Sequence, residues 1–281
     1  MNLSQFTSTL ELGLIFSLVA LGVYLSFRVL NFPDMSVDGT FPLGAALSAI
    51  LIVDGVNPWL SCVIAMMAGA LIGFVTGFVS TRLRVFNLLA GILSMTALYS
   101  INLRIMGKPN LSLFGEAVIF DNQAMVVLIA IVVGFGSIVY WFLTTEVGLS
   151  MRASGTNASM SAAQGINVER MTWLGLGISN ALVALGGALF AQHLGFADIN
   201  MGLGTIVIGL AAVLVGEALL CPSNVITSVI ACIFGALLFR TIVAFSLNIN
   251  GAWLMSSDLN LVMALLVGLA TSFAQRRKAL P

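Results

Sequence analysis

Nine apolar runs fill most of this chain, at about residues 9–30, 38–53, 58–79, 86–106, 123–145, 169–192, 203–218, 224–246 and 258–274. Repetition on this scale leaves few folds open. In lipid, backbone amides and carbonyls find no water, so a segment must pair them internally, and an apolar run of this kind crosses as a helix. The composition agrees, with 59% of residues hydrophobic and 8% charged. That is too little polar surface to cover a soluble domain. The expected fold class is all-α: a polytopic transmembrane bundle of about nine spans, one domain over 1–281. The runs at 38–53 and 203–218 fall short of the roughly 20 residues that cross a bilayer and are rich in glycine, so they read as broken or tilted. The first run begins near Thr9 without a basic leader, which predicts a retained helix in place of a cleaved signal peptide.

Charge orients the bundle. Arg276, Arg277 and Lys278 follow the last run and place the C-terminus in the cytosol. Threading back through nine spans brings Arg28, Arg82, Arg84, Arg152 and Arg170 to that side. It leaves Arg104, Lys108 and Arg240 toward the outer ends and the N-terminus outside. Arg240, inside the eighth run, is expected to snorkel to the headgroups.

The longest polar interruption runs from Glu146 to Arg170, between two spans. Asn157 is placed as an N-cap, small residues follow from Ala158 to Ala163, and Gly165 can end the turn. A short cytoplasmic helix is the expectation. Presented by an otherwise buried protein, it suits docking of a soluble partner, and Glu217, at another cytoplasmic end, could face the same partner.

Inside the spans, each polar group needs a reason. Asn87, Asn102, Asn180 and Gln192 could line a route for a polar solute or hydrogen-bond between helices. Asp38 and Asp198 open the two short spans, where an acid either caps a helix or faces solute at a break. Each is followed six positions on by a glycine, Gly44 or Gly204, which suggests an inverted repeat. Gly69, Gly73 and Gly77 form a small-residue ridge, fit either for a subunit interface or for packing within one subunit.

Other classes find little support. Formal net charge is zero, which argues against nucleic acid. Cys62, Cys221 and Cys232 show no paired spacing and His193 is the lone histidine, so no metal site is expected. There is no GxxxxGK phosphate loop, so any nucleotide energy comes from another chain. No carboxylate–histidine relay runs through the spans, which weakens a proton-coupled mechanism.

Arg152, Ala153, Gly155, Asn157, Gly165, Ile166, Asn167 and Val168 fall in the register of one known loop. The stretch resembles the cytoplasmic loop of ABC importer permeases of the branched-chain amino acid and ribose type. The likeness continues through Ser179–Asn180–Ala181 and Gly186–Gly187–Ala188. Gly195 to Glu217 and Asn31 to Ala46 look more like one subgroup, uncharacterised permeases described as tryptophan/tyrosine transporters. The family commonly has Pro and an acid after the Asn, where this chain has Ala158 and Ser159.

The resemblance implies a type II importer-like fold in a bacterial cytoplasmic membrane. It implies a coupling helix docked on a separate ATPase that binds ATP and magnesium, with Arg152, Gly155, Asn157, Ala162, Gly165, Asn167 and Glu217 as the coupling set. A second copy of the chain and an extracytoplasmic solute-binding protein complete the expected assembly. The solute is expected to be a small polar one, an aromatic or branched-chain amino acid, passing Asp38, Asn87, Asn102, Asn180 and Asp198. The chain itself is expected to bind no cofactor and catalyse no reaction. The alternative reading is a stand-alone secondary transporter or channel.

Overall fold

A computed structural model describes residues 3–120 and 124–249, with Gly268. Helices dominate: α1 (Leu3–Val23), α2 (Val37–Val53), α3 (Pro58–Arg82), α4 (Asn87–Met106), α5 (Ala124–Thr144), α6 (Glu146–Thr156), α7 (Ala158–Ala163), α8 (Val168–Leu194), α9 (Thr205–Leu220) and α10 (Val225–Ile249). A π-helical stretch, Tyr24–Val29, prolongs α1, and a 3-10 turn, Ile199–Gly202, precedes α9. Two three-residue strands, β1 (Asn110–Ser112) and β2 (Phe196–Asp198), pair antiparallel.

Seven helical stretches among the described residues are long and apolar enough to cross a bilayer: Gln5–Val29, Pro58–Arg82, Asn87–Met106, Ala124–Thr144, Val168–Leu194, Ile199–Leu220 and Val225–Phe245. α2 is an eighth apolar helix but has only 17 residues. At about 1.5 Å per residue it is shorter than the roughly 30 Å hydrocarbon layer. The expected span at 258–274, apart from Gly268, and the cluster Arg276–Lys278 lie outside the described residues.

The described chain divides into two compact units. The first takes in parts of Met1–Leu21, Met125–Tyr140 and Val207–Pro281. There α9 and α10 meet backbone to backbone, since a Cβ on Gly216 would overlap the Ala231 carbonyl. The Arg240 guanidinium stands 4.7 Å from the Phe16 ring centroid, so an aromatic face inside the unit packs against the cation.

The second unit is Gly22–Ala124 with Trp141–Ile206. Its axis is α8, buried along most of its length. The Gly69–Gly73–Gly77 ridge of α3 lies on α8: a Cβ at Gly69 would strike Asn180 and Ala184, at Gly73 the Leu176 carbonyl, and at Gly77 Trp173. The ridge therefore packs within one subunit. α2 crosses α8 where Gly44 meets Ala184 and Gly187 meets Phe41. Toward the ribbon, Ala45, Ala46, Ala49 and Ile52 of α2 form a core with Met106, Leu111, Leu113, Ala191 and Ala197. Small residues let these backbones approach closely, which is how helices associate where lipid offers no hydrophobic drive.

The proposed repeat does not survive as equivalent geometry. Asp38 lies in the first turn of α2, whereas Asp198 caps the 3-10 turn ahead of α9. Gly44 is inside α2 and tightly packed, whereas Gly204 sits before α9 with φ +80° and open space around it.

Candidate functional site

One end of the second unit carries the polar segment. Thr145 starts α6 by accepting from the Gly148 amide at 3.3 Å. α6 lies so close to the end of the π-helical stretch that a Cβ on Gly155 would overlap the Val29 carbonyl. Gly155 thus seats α6 on its neighbour. Arg152 is half-buried and its Nε has no hydrogen-bond partner.

α7 follows with both ends closed. The Asn157 side chain accepts from the Met160 amide at 3.0 Å and from the Ser159 hydroxyl at 2.8 Å. At the other end Ile166 N–H donates to Ser161 O (3.1 Å) and Gly165 N–H to Ala162 O (3.0 Å). This is the Schellman pattern, which needs the left-handed conformation that Gly165 takes at φ +85°. Asn167 then caps α8 by accepting from the Arg170 amide at 3.0 Å. Only Ser161 of α7 is buried, while Ala162 and Met160 are exposed, Met160 to 59%. At the same end Arg82 pairs with Glu169 (3.1 Å), and Trp173 donates to Thr81 at 2.7 Å. Glu217 is half-buried near the end of α9, in the first unit.

The intramembrane polar residues separate into distinct settings. Asn87 opens α4 and accepts from Ser80 at 2.7 Å, tying α4 to α3. Asn180, fully buried at mid-length of α8, donates to the Asp34 carboxylate at 2.7 Å and accepts from the Ser36 hydroxyl at 3.2 Å. Asp34 also accepts from the Ser36 amide at 2.9 Å. This joint holds the break between α1 and α2. Sequence reading missed Asp34, although an acid directly after Asn31–Phe32–Pro33, at an apolar break, was the available signal. Asp198 sits at the ribbon, accepting from Asn200 N–H at 2.8 Å and Asn110 Nδ2 at 3.3 Å. Gln192 donates to Ser48 at 2.9 Å and accepts from Ile119 N–H at 3.2 Å.

Asp38 and Asn102 come together. Asp38 caps a helix other than its own: its carboxylate accepts from Ile206 N–H at 2.7 Å and Gly204 N–H at 3.2 Å, at the start of α9. Two helix N-termini thus share one carboxylate, which complements both dipoles. Pro42 cannot donate to the Asp38 carbonyl, and Gly202 fits against that carbonyl and the Pro42 ring. Asn102 is fully buried on α4 and donates to Gly39 O at 3.1 Å. Both residues line a cleft of about 40 Å³ between α2, α4 and the 3-10 turn, with Tyr99, Asn200 and Leu203 at its rim. Among the described residues the structure brings neither Asn87, Asn180 nor Asp198 to this cleft.

The family model for the branched-chain amino acid transport system permease component matches residues 5–272. The chain belongs to this permease family. It is 38% identical over 267 residues to a tyrosine transport system permease protein of Clostridioides difficile (strain R20291), covering 94% of this permease and 90% of that relative. It is 27% identical over 190 residues to a nucleoside ABC transporter permease protein of Lactococcus lactis subsp. cremoris (strain MG1363), covering 57% and 59% of the two chains. Among solved structures, PsaBC from Streptococcus pneumoniae in complex with Fab matches with TM-score 0.57 at 12% identity, over 94% of this permease and 90% of that chain. The protein is an ABC transporter permease, a multi-pass protein of the bacterial inner membrane and a transport component, not an enzyme.

Proposed function

We propose that this permease is the membrane-spanning subunit of an ATP-driven importer of an amino acid. It works as a pair of copies, energised by a separate ATPase that docks on α7 and supplied by an extracytoplasmic solute-binding protein. The observation that carries the reading is α7: a short, exposed helix closed at both ends by Asn157 and Gly165, in a chain that is 59% hydrophobic and 8% charged. A lever must be stiff to transmit displacement. Asn167 restarts α8 only four residues after α7, and α8 carries the contacts with the α3 ridge and, through Asn180, with Asp34. Movement at α7 then reaches the packed helices directly. Gly155 holds α6 to the π-helical stretch as a backing for the lever, and Arg152, Ala162 and Glu217 offer contacts to the ATPase. ATP and magnesium bind on that partner, whose hydrolysis supplies the energy.

The solute is an amino acid, aromatic or branched-chain. The tyrosine transport relative and the family description support this, and few charges within the spans suit a zwitterion. The Asp38–Asn102 cleft forms part of the pathway.

Purification from the native membrane in mild detergent tests the reading. An ATPase subunit is expected in the eluate, and Ala162→Cys is expected to crosslink to it. An eluate without any ATPase, even after crosslinking, sinks the proposal.

A further inference from the structure

The Asp38–Asn102 cleft is chemically incomplete. Asn102 is fully buried, its amide nitrogen donates to Gly39 O, and its Oδ1 has no partner among the described residues. Buried acceptors are normally satisfied, and an orphan points to a donor from outside the chain. Asp38 supplies a second acceptor. Each of its oxygens takes one backbone N–H, and a carboxylate has further lone pairs to offer. Among the described residues no Lys, Arg or His lines the cleft, so none of them competes there for these acceptors. The rim adds the Tyr99 ring, a favourable surface for a cation.

Several acceptors, one of them anionic, beside an aromatic face match a compact cation with several N–H donors. We propose that this cleft recognises the primary ammonium group of the transported solute, with Asn102 Oδ1 and the Asp38 carboxylate accepting its N–H groups and Tyr99 packing against it. The cleft admits a head group, and the remainder of the solute stays outside it. A bare divalent ion is a poorer fit, because it wants six or more oxygens. The inference rests on the amino-acid import reading and adds which end of the solute this chain reads.

The test uses the whole complex carrying Leu203→Cys at the rim in a Cys221→Ser background, since Cys62 and Cys232 are buried. Maleimide labelling at position 203 is followed with tyramine, tyrosine or 3-(4-hydroxyphenyl)propionate, which lacks the amine. Tyramine and tyrosine are expected to slow labelling roughly tenfold and the deaminated acid to have no effect. Asn102→Leu is expected to abolish the protection, and Asn102→Asp, which keeps an acceptor, to retain it. Equal protection by all three compounds, or none by any, overturns the inference and leaves a water as the partner of Asn102. Amine protection without ATP-driven uptake of any aromatic or branched-chain amino acid by the wild-type complex supports this site and strikes the import reading instead.

Discussion

Asp34 with Asn180, and Asp38 with Asn102, are two aspartate–asparagine sets on either side of the start of α2. Each asparagine is fully buried on an apolar helix. Asn180 is saturated: its amide nitrogen reaches Asp34 and Leu176 O, and its oxygen accepts from Ser36. Asn102 is half satisfied, with Oδ1 unpartnered. Asp34 is closed off by Ser36 beside it and Asn180 on α8, whereas Asp38 reaches across to α9 and leaves capacity toward a cleft. In an apolar chain both sets look equally costly. Counting partners separates them: the closed set holds a helix break in place, and the open one leaves an acceptor unused beside a cleft.

Substitutions can break this contrast. Asn180→Leu should have the largest effect on stability, because it leaves the buried Asp34 carboxylate with the Ser36 groups alone. The loss should be on the order of 3 kcal/mol, read as a lower unfolding temperature of the purified complex, with Asp34→Asn recovering part of it in the double variant. Asp38→Ala should cost about 2 kcal/mol by orphaning the first amides of α9. Faster hydrogen exchange at Ile206 would show it, and unchanged exchange would mean the cross-helix cap is not used. The exposed Asn157→Ala provides the yardstick, at about 1 kcal/mol of local helix stability, seen as faster exchange at Met160. Asn102→Leu should change stability least, within about 1 kcal/mol, since losing the Gly39 bond is offset by removing an orphan acceptor. A loss as large as that of Asn180→Leu would erase the distinction between the sets.

Features set by local chemistry were legible in the sequence. Apolar runs at 58–79, 86–106, 123–145 and 169–192 became α3, α4, α5 and α8 with ends a few residues away, because a membrane-spanning helix must be apolar along its length. The ends of α7 were legible because capping involves only neighbours, Asn157 with Met160 and Gly165 with Ala162. Contacts between distant residues were not. Asp34 and Asn180 are 146 positions apart, and nothing in either segment names the other. The spacing of Gly69, Gly73 and Gly77 signals close approach without saying to what, and α8 proved to be the neighbour. α6 was not read, because Gly148 and Gly155 lower helix propensity locally, whereas here they serve close backbone contacts with Phe142 and Val29. The ribbon of β1 and β2 was missed because three residues give no period.

The proposed lever between ATP and solute is α7. The decisive measurement compares ATP hydrolysis and tyrosine uptake in proteoliposomes holding the whole complex, wild-type or Gly165→Val. A β-branched residue cannot adopt φ +85° without strain, so the helix end should be displaced while the spans remain assembled. The account predicts solute uptake lost and hydrolysis no longer stimulated by loaded binding protein, with the permease still present in the membrane. Wild-type uptake and wild-type stimulation in that variant would contradict it.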